Sequence, residues 1–229
     1  MLRLYHHAFD PFSRAVRLSL AEQGLEAELV EERPWERRRE FLLMNPAGTL
    51  PVLVENGLPV CGAHAIHEYL DETRGASAGN RRLMPAEIGQ RAEVRRLLDW
   101  FDRKFHEEVT CNLVNEKVFK RYSASGQGNG APDAGAIHAG RSNIRYHLRY
   151  IGYLIRTRNW LAGDSLTCAD LAAAAHLSCI DYLGDVPWEE DETAKTWYAR
   201  VKSRPAFRAL LAEGIPGMPP APAYADLDF

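Results

Sequence analysis

The chain has 229 residues, of which 46% are hydrophobic and 26% are charged, and 28 basic residues against 31 acidic ones give a formal net charge of -3. At ~100–200 residues per domain, this length provides one large domain or two small ones with a substantial core. A mildly acidic chain does not favour nucleic acid as a partner. No apolar run approaches the ~20 residues that span a bilayer, and the first residues lack a signal-peptide core, so we expect a cytoplasmic protein without membrane contact.

The first eighty residues change periodicity several times, which is typical of a small α/β domain. Residues 2–6 predict a short strand, and Pro11–Gln23 predicts a compact helix that Gly24 ends. Residues 27–32 predict a second strand. An alternation of strand and helix at this spacing indicates a mixed sheet.

A predicted hairpin over 50–61 and one more helix complete this unit. Asn56 and Gly57 supply the positive-φ turn that a tight hairpin connection needs. The helix is expected from about Ala63 to Glu72. These elements predict a first domain over residues 1–75.

Residues 76–85 are rich in small and turn-forming residues and predict a linker to a second domain over 86–214. Beyond the linker, apolar residues recur every three or four positions over 97–113 and 144–155, as in two long amphipathic helices. The glycine-rich stretch 123–135 between these helices is expected to be a mobile loop. The second domain is therefore predicted to be all-α.

Three further features lie toward the end of the chain. Thr167 and Asp170 have the spacing of a capping box, with Asp in place of Glu, before an apolar helix that we expect to be central. A last helix is predicted over 193–212. Residues 215–229 hold four of the thirteen prolines and predict an extended tail.

Four cysteines are spread along the chain without a C-x-x-C pair or a metal-type His/Cys spacing, which predicts reduced thiols and neither a disulfide nor a metal site. They are Cys61, Cys111, Cys168 and Cys179. A reactive thiol at Cys61 would instead suggest an oxidoreductase.

Two segments of the chain resemble sequence motifs of the glutathione S-transferase family. Asn45–Leu53 (NPAGTLPVL) is similar to the family's N-P-x-G-x-V-P-x-L, and Trp160–Asp170 (WLAGDSLTCAD) is similar to the capping signature of its helical half. The resemblance spans residues 1 to about 212. It implies a thioredoxin-like N-terminal domain followed by a helical C-terminal domain (α/β + all-α), a cis peptide bond at Pro51, and a homodimer.

The resemblance also shows which glutathione contacts are altered. The family holds the γ-glutamyl end of glutathione with an acidic residue and a serine in E-S-x-A-I, where this chain has Gly62 and Ala63. A charge-assisted hydrogen bond contributes roughly 1.5–3 kcal/mol, so each loss should weaken glutathione binding by tens- to hundreds-fold. The backbone around Leu50 and Pro51 would remain as a contact. His64 either replaces a ligand or packs on the helix.

At the position that activates the glutathione thiol, the family has Ser or Cys in S-P-F or C-P-F, whereas this chain has Asp10. A carboxylate near the thiol raises the thiol pKa, which opposes thiolate formation. Asp10 is also a good helix N-cap before Pro11. Ser13 and Tyr5 are weaker alternatives as hydroxyl donors. We therefore predict no catalytic residue and no cofactor.

Within the family, the chain resembles a bacterial cell-division branch whose members bind the tubulin homologue FtsZ. The resemblance rests on the altered glutathione site, the segment 31–36 (EERPWE) and the tail end 224–229 (YADLDF). It implies a non-catalytic regulator that binds FtsZ filaments. The alternative is an active transferase that conjugates glutathione to small electrophiles.

Three segments are candidate partner-binding surfaces. Trp35, flanked by arginines, is typical of an interface anchor, or it folds back on its own domain. A basic helix end could meet an acidic partner, or it is a solvated helix terminus. The tail could contact a partner, its own chain or a second subunit. The helix-end residues are Lys117, Lys120 and Arg121, and those of the tail are Tyr224, Asp226, Asp228 and Phe229.

Overall fold

The computed structural model describes residues 1–123 and 131–227. Most of the predicted glycine-rich loop and two of the predicted tail residues, Asp228 and Phe229, lie outside these ranges. None of the helices in the described ranges is long and apolar enough to cross a membrane.

The first part of the chain forms the predicted α/β unit around a four-stranded mixed sheet of order β2-β1-β3-β4. β1 pairs in parallel with β2 and antiparallel with β3, and β3 pairs antiparallel with β4. The elements are β1 (Leu2–His6), α1 (Pro11–Gln23), β2 (Ala27–Glu31), a 3₁₀ turn (Pro34–Glu36), α2 (Arg39–Met44), β3 (Val52–Glu55), β4 (Leu58–Cys61) and α3 (Ala63–Ala78).

Local sequence signals fix several of these boundaries as predicted. Gly24 ends α1 in the left-handed conformation at φ 70°, which glycine adopts without a Cβ penalty. Asn56 and Gly57 both have positive φ and connect β3 to β4. The Leu50–Pro51 peptide bond is cis, as the family resemblance implied.

The second part of the chain is helical, which confirms the predicted class. Its helices are α4 (Ile88–Asp99), a π-helical continuation (Trp100–Phe119), α5 (Lys120–Ser123), α6 (Ala134–Thr157), α7 (Cys168–Tyr182), α8 (Glu192–Lys202) and α9 (Arg208–Leu211). We refer to the continuous rod over residues 88–123 as the 88–123 helix.

Helix α7 is the centre of the second domain, and each of its 15 residues is buried. Its N-terminus has the predicted capping box between Thr167 and Asp170. The buried Asp170 carboxylate also accepts hydrogen bonds from Leu161 N at 2.9 Å and from Trp197 Nε1 at 3.1 Å. The box therefore fixes both the helix start and the packing of two neighbouring segments.

Two predicted helix boundaries were wrong. Helix α3 ends at Ala78 rather than near Glu72, so the first residues of the predicted linker are helical. The last helix is not continuous to residue 212, because Pro205 has no backbone N–H to donate and starts a 3₁₀ turn between α8 and α9.

The described part of the tail packs on its own chain. Ala221 N donates to Tyr182 O at 2.9 Å, and Tyr182 Oη donates to Met218 O at 2.6 Å. Tyr224 is fully buried. Of the alternatives open for the tail, the structure therefore shows packing against the same chain.

Candidate functional site in the interdomain cleft

A cleft lies between the first domain and the 88–123 helix, and it contains two adjoining cavities that share Phe12, Thr49, Leu50 and His106. The cradle cavity, of about 600 Å³, is lined on one side by the start of α3 and on the other by residues 99–106. The aromatic cavity, of about 280 Å³, is lined by Asp10, Trp35 and Phe119 among others. The predicted glutathione and thiol-activation positions thus fall in one cleft.

Asp10 is the N-cap of α1, as predicted. Its Oδ2 accepts a hydrogen bond from Ser13 N at 2.7 Å, and Pro11 occupies the first helical position. Burial raises the pKa of the Asp10 carboxyl to about 6, against the lowering effect of the hydrogen bonds from Ser13. A carboxyl here adds negative charge where a transferase of this family requires a thiolate to form.

The two weaker hydroxyl candidates do not line either cavity among the described residues. Ser13 is fully buried, and its Oγ accepts a long hydrogen bond from His7 N at 3.4 Å. Tyr5 packs against Phe41 on the sheet, with ring centroids 6.2 Å apart. The surroundings of both side chains therefore indicate a structural role rather than contact with a ligand in the cleft.

Gly62 and Ala63, at the start of α3, have no side-chain group that could replace the family's glutathione ligands. Gly62 precedes the helix at φ 88°, and the methyl group of Ala63 is buried. Gly62 N donates its hydrogen bond to Pro51 O at 2.9 Å. At residues 62 and 63 the cradle cavity therefore offers only backbone polar groups to a ligand.

His64, which the sequence left open between ligand and packing residue, forms an interdomain ion pair. Its Nε2 lies 2.8 Å from Asp102 Oδ2, and the hydrogen bond to Asp102 raises the pKa of His64. Asp102 is buried, and its other oxygen lies 3.3 Å from His176 Nε2. Burial alone would raise the pKa of Asp102, but His176 and His64 hold it well below its ordinary value. Sequence spacing gave no signal for this cluster.

The thiols near the cleft are not activated. Burial raises the pKa of Cys61, which lines the cradle cavity, and also that of Cys111. Cys111 Sγ lies 3.1 Å from His106 Nε2, but burial lowers the pKa of His106 to about 4, so this histidine is neutral. Because a thiolate is the reactive form, these surroundings disfavour an oxidoreductase reading of Cys61.

Trp35 lines the aromatic cavity and is half-buried. Its ring contacts His7, with centroids 5.3 Å apart in an edge-on arrangement, and Phe119 of the second domain at 6.0 Å. Trp35 therefore folds back on the chain while part of its ring stays accessible, which combines the two alternatives considered for it.

The basic helix end is less available than the sequence suggested. Lys117 forms an ion pair with Asp185, which also pairs with Arg141. Lys120 Nζ lies 2.5 Å from Glu116 Oε2. Internal carboxylates thus pair with both lysines, and a contact of either lysine with a partner stays a prediction. Arg121 is exposed on α5.

Tyr224 takes the alternative in which the tail packs against its own chain. Tyr224 Oη donates to Leu210 O at 3.1 Å and accepts from Arg14 Nη1 at 3.2 Å, both within the protein. A partner could reach Tyr224 only if the tail detached. Asp226 remains exposed.

The cis-proline loop and helix α1 belong to the first domain, which faces an all-helical second domain across the cleft. This arrangement is a glutathione S-transferase fold. The model of the glutathione S-transferase N-terminal domain matches residues 4–78. The chain belongs to the glutathione S-transferase family. It is 48% identical to FtsZ-localized protein A of Caulobacter vibrioides over 230 residues, covering 99% of this chain and 97% of that protein.

Two solved structures are similar over essentially their whole length. A glutathione S-transferase from Sinorhizobium meliloti has 53% identity and a TM-score of 0.96, with 100% of both chains covered. FzlA from C. crescentus has 47% identity and a TM-score of 0.91, with 100% of this chain and 99% of that chain covered. Both domains of the chain therefore have counterparts in each of these proteins.

Proposed function

We propose that this protein binds FtsZ filaments and regulates bacterial cell division without acting as a transferase. The observation that carries the proposal is the 48% identity to FtsZ-localized protein A, because the match covers 99% of the chain and therefore includes both domains.

The geometry of the cleft supports the non-catalytic part of the proposal. Gly62 and Ala63 supply no side-chain donor or acceptor where the family holds the γ-glutamyl group. Asp10 places a carboxyl where the family activates a thiol. Each change removes a separate contribution to glutathione chemistry, so one compensating residue would not restore it.

We also propose a cytoplasmic homodimer, as the family resemblance implies. FtsZ filaments repeat one subunit, so two copies of a weak site on one dimer could engage the filament together. The second contact is then intramolecular, which raises the overall affinity without new contacts. Light scattering coupled to size-exclusion chromatography measures the oligomeric state directly, and a monomer at all concentrations contradicts this part.

Co-sedimentation tests the partner. The protein should pellet with FtsZ polymerised in GTP, and it should stay in the supernatant with unpolymerised FtsZ or alone. Deletion of residues 228–229 tests the tail end without removing the buried Tyr224, whereas deletion of 216–229 would also remove packing. If the intact protein does not pellet with polymerised FtsZ, the proposed partner is wrong.

The alternative function is conjugation of glutathione to small electrophiles, which is favoured by the 53% identity to the S. meliloti glutathione S-transferase. A spectrophotometric assay with glutathione and 1-chloro-2,4-dinitrobenzene separates the two. We expect no rate above the uncatalysed reaction. A rate typical of the family would contradict the non-catalytic proposal while leaving FtsZ binding to be decided by sedimentation.

A further inference from the structure

We propose that the aromatic cavity binds one basic side chain, a lysine or an arginine, of the partner protein. This inference rests on the proposed function in that it assigns a chemistry to the contact with FtsZ. It is carried by the walls of the cavity, its charge and its size.

The walls are largely aromatic. On one side, His7 lies 5.6 Å from Phe119 and 5.3 Å from Trp35, measured between ring centroids. On the other side, Phe12 packs edge-on against His106 at 4.8 Å. Aromatic faces attract an ammonium or guanidinium group, and they also accommodate the aliphatic stem of such a side chain.

The charge of the cavity is a single carboxyl, that of Asp10. Burial lowers the pKa of His7, and burial also lowers that of His106 to about 4, so both histidines of the lining are neutral at pH 7. The other residues that line the cavity have no ionisable side chain. A cation is therefore the electrostatic complement of this cavity.

The chain does not provide this cation itself. Within residues 1–123 and 131–227, no lysine, arginine or histidine forms an ion pair with Asp10. Two arginines of the neighbouring segment are paired elsewhere: Arg33 with Glu31 and Glu36, and Arg38 with Glu32. Among the described residues, the hydrogen bonds to the Asp10 carboxyl come from Ser13, and the charge of His176 also lowers its pKa. An incoming cation would thus form an ion pair that the described part of the chain does not supply.

The aromatic cavity has room for one long side chain. At about 280 Å³, it lies just below the ~300–1,000 Å³ typical of small-molecule sites, and it adjoins the larger cradle cavity. Trp35, which lines the cavity, is half-exposed on the connecting 3₁₀ turn, where a protein partner can approach it. We therefore assign it to a side chain that enters from a partner surface.

Nuclear magnetic resonance tests this inference without FtsZ. The reporter is the indole N–H of Trp35, assigned with a Trp35→Phe variant, and the probes are N-acetyl-lysine methylamide and N-acetyl-arginine methylamide. N-acetyl-norleucine methylamide is the control probe, because it keeps the aliphatic stem and lacks the charge. We expect a saturable shift with a cationic probe and at least ~10-fold weaker binding of norleucine.

Matched variants test whether the Asp10 carboxylate is the charge that binds the cationic probe. Asp10→Asn keeps an N-cap and should weaken the cationic probe by at least ~10-fold. Asp133→Asn makes the same change at the exposed N-cap of α6 and should leave binding unchanged. Phe119→Leu removes one aromatic wall and supplies a second test if Asp10→Asn fails to fold.

Equal binding of norleucine, no saturable shift with either cationic probe, or unchanged binding in Asp10→Asn would overturn the inference. None of these results depends on FtsZ. A negative result here combined with co-pelleting would reject the cavity as the contact and retain the proposed partner, whereas a positive result without co-pelleting would retain the site and reject FtsZ.

Discussion

Tyr224, near the end of the described chain, accepts a hydrogen bond from Arg14 Nη1 at 3.2 Å inside the protein. Arg14 belongs to α1 of the first domain, and the same Nη1 donates to Ser178 Oγ of α7 at 2.8 Å. The guanidinium Nε donates to Ala8 O at 2.8 Å. One buried arginine therefore connects the first domain, the central helix of the second domain and the tail.

This arrangement predicts that Tyr224→Phe destabilises the protein. The variant loses the phenol oxygen, and with it the hydrogen bonds to Arg14 and Leu210, while the ring still fills its site. We expect the free energy of unfolding to fall by about 1–3 kcal/mol, measured by urea denaturation. Tyr153→Phe is the control, since Tyr153 is 63% exposed, and its effect should stay within about 0.5 kcal/mol. Equal effects of the two variants would show that the buried phenol contributes no net stability.

Asp170→Ala should be among the more destabilising single changes in the second domain. The carboxylate is buried and accepts from Leu161 N, Thr167 N and Trp197 Nε1, so its removal leaves several buried donors without an acceptor. We expect a loss of at least about 3 kcal/mol in the free energy of unfolding. Asp133→Ala, which removes an exposed N-cap, should cost only about 1 kcal/mol. A loss for Asp170→Ala no larger than this control contradicts the prediction.

Asp10 predicts a specific pH dependence of stability. Burial raises the pKa of Asp10 from 3.8 to about 6 in the folded protein. Between these values the folded state retains a proton that the unfolded state releases, so the contribution of Asp10 to stability is largest below the lower pKa and is lost as the pH rises through the higher one. The neighbouring groups that modify this titration are His176 and Asp102.

The measurement is a comparison of Asp10→Asn with the unmodified protein in urea at about pH 4 and about pH 7. The asparagine side chain does not titrate, so the variant should gain stability relative to the parent as the pH rises. Asp133→Asn controls for the change of an N-cap residue. The carboxyl carbon resonance of Asp10 should also titrate near the raised pKa. A titration at the ordinary value would remove the basis of this prediction.

Restoring one of the two side-chain ligands missing at residues 62 and 63 should strengthen glutathione binding. Isothermal calorimetry should detect only weak binding of glutathione to the unmodified protein, and Ala63→Ser should strengthen it by about tenfold, because it supplies a hydrogen-bonding hydroxyl. Ala65→Ser, a matched change on the rim of the same cavity, should have no such effect. Gly62→Glu is a less clean test, since φ is 88° there and a side chain adds backbone strain. Tight binding by the unmodified protein would contradict our account of the cleft.

Much of the architecture was predictable because it follows from short-range rules. The cap of α1 at Asp10, its end at Gly24 and the turn at Asn56 each depend on a few adjacent residues. The capping box at Thr167 has the same local origin. The two boundaries that were wrong also have local causes, since α3 continues past Glu72 through residues that tolerate a helix, and Pro205 interrupts the last one.

The sequence by itself determined the two-domain class, the family and the missing polar groups at residues 62 and 63, because these depend on residue identity and local spacing. Only the tertiary structure decided which charges pair and which aromatic rings meet. His64 pairs with Asp102, Lys117 with Asp185, and Arg14 with Tyr224 across long stretches of chain. Many carboxylates are chemically equivalent partners for one cation. The packing of α3 and α7 against the 88–123 helix, and of the tail against α1 and α7, selects among them. The same packing brings Trp35 and Asp10 to one cavity, which no short motif encodes.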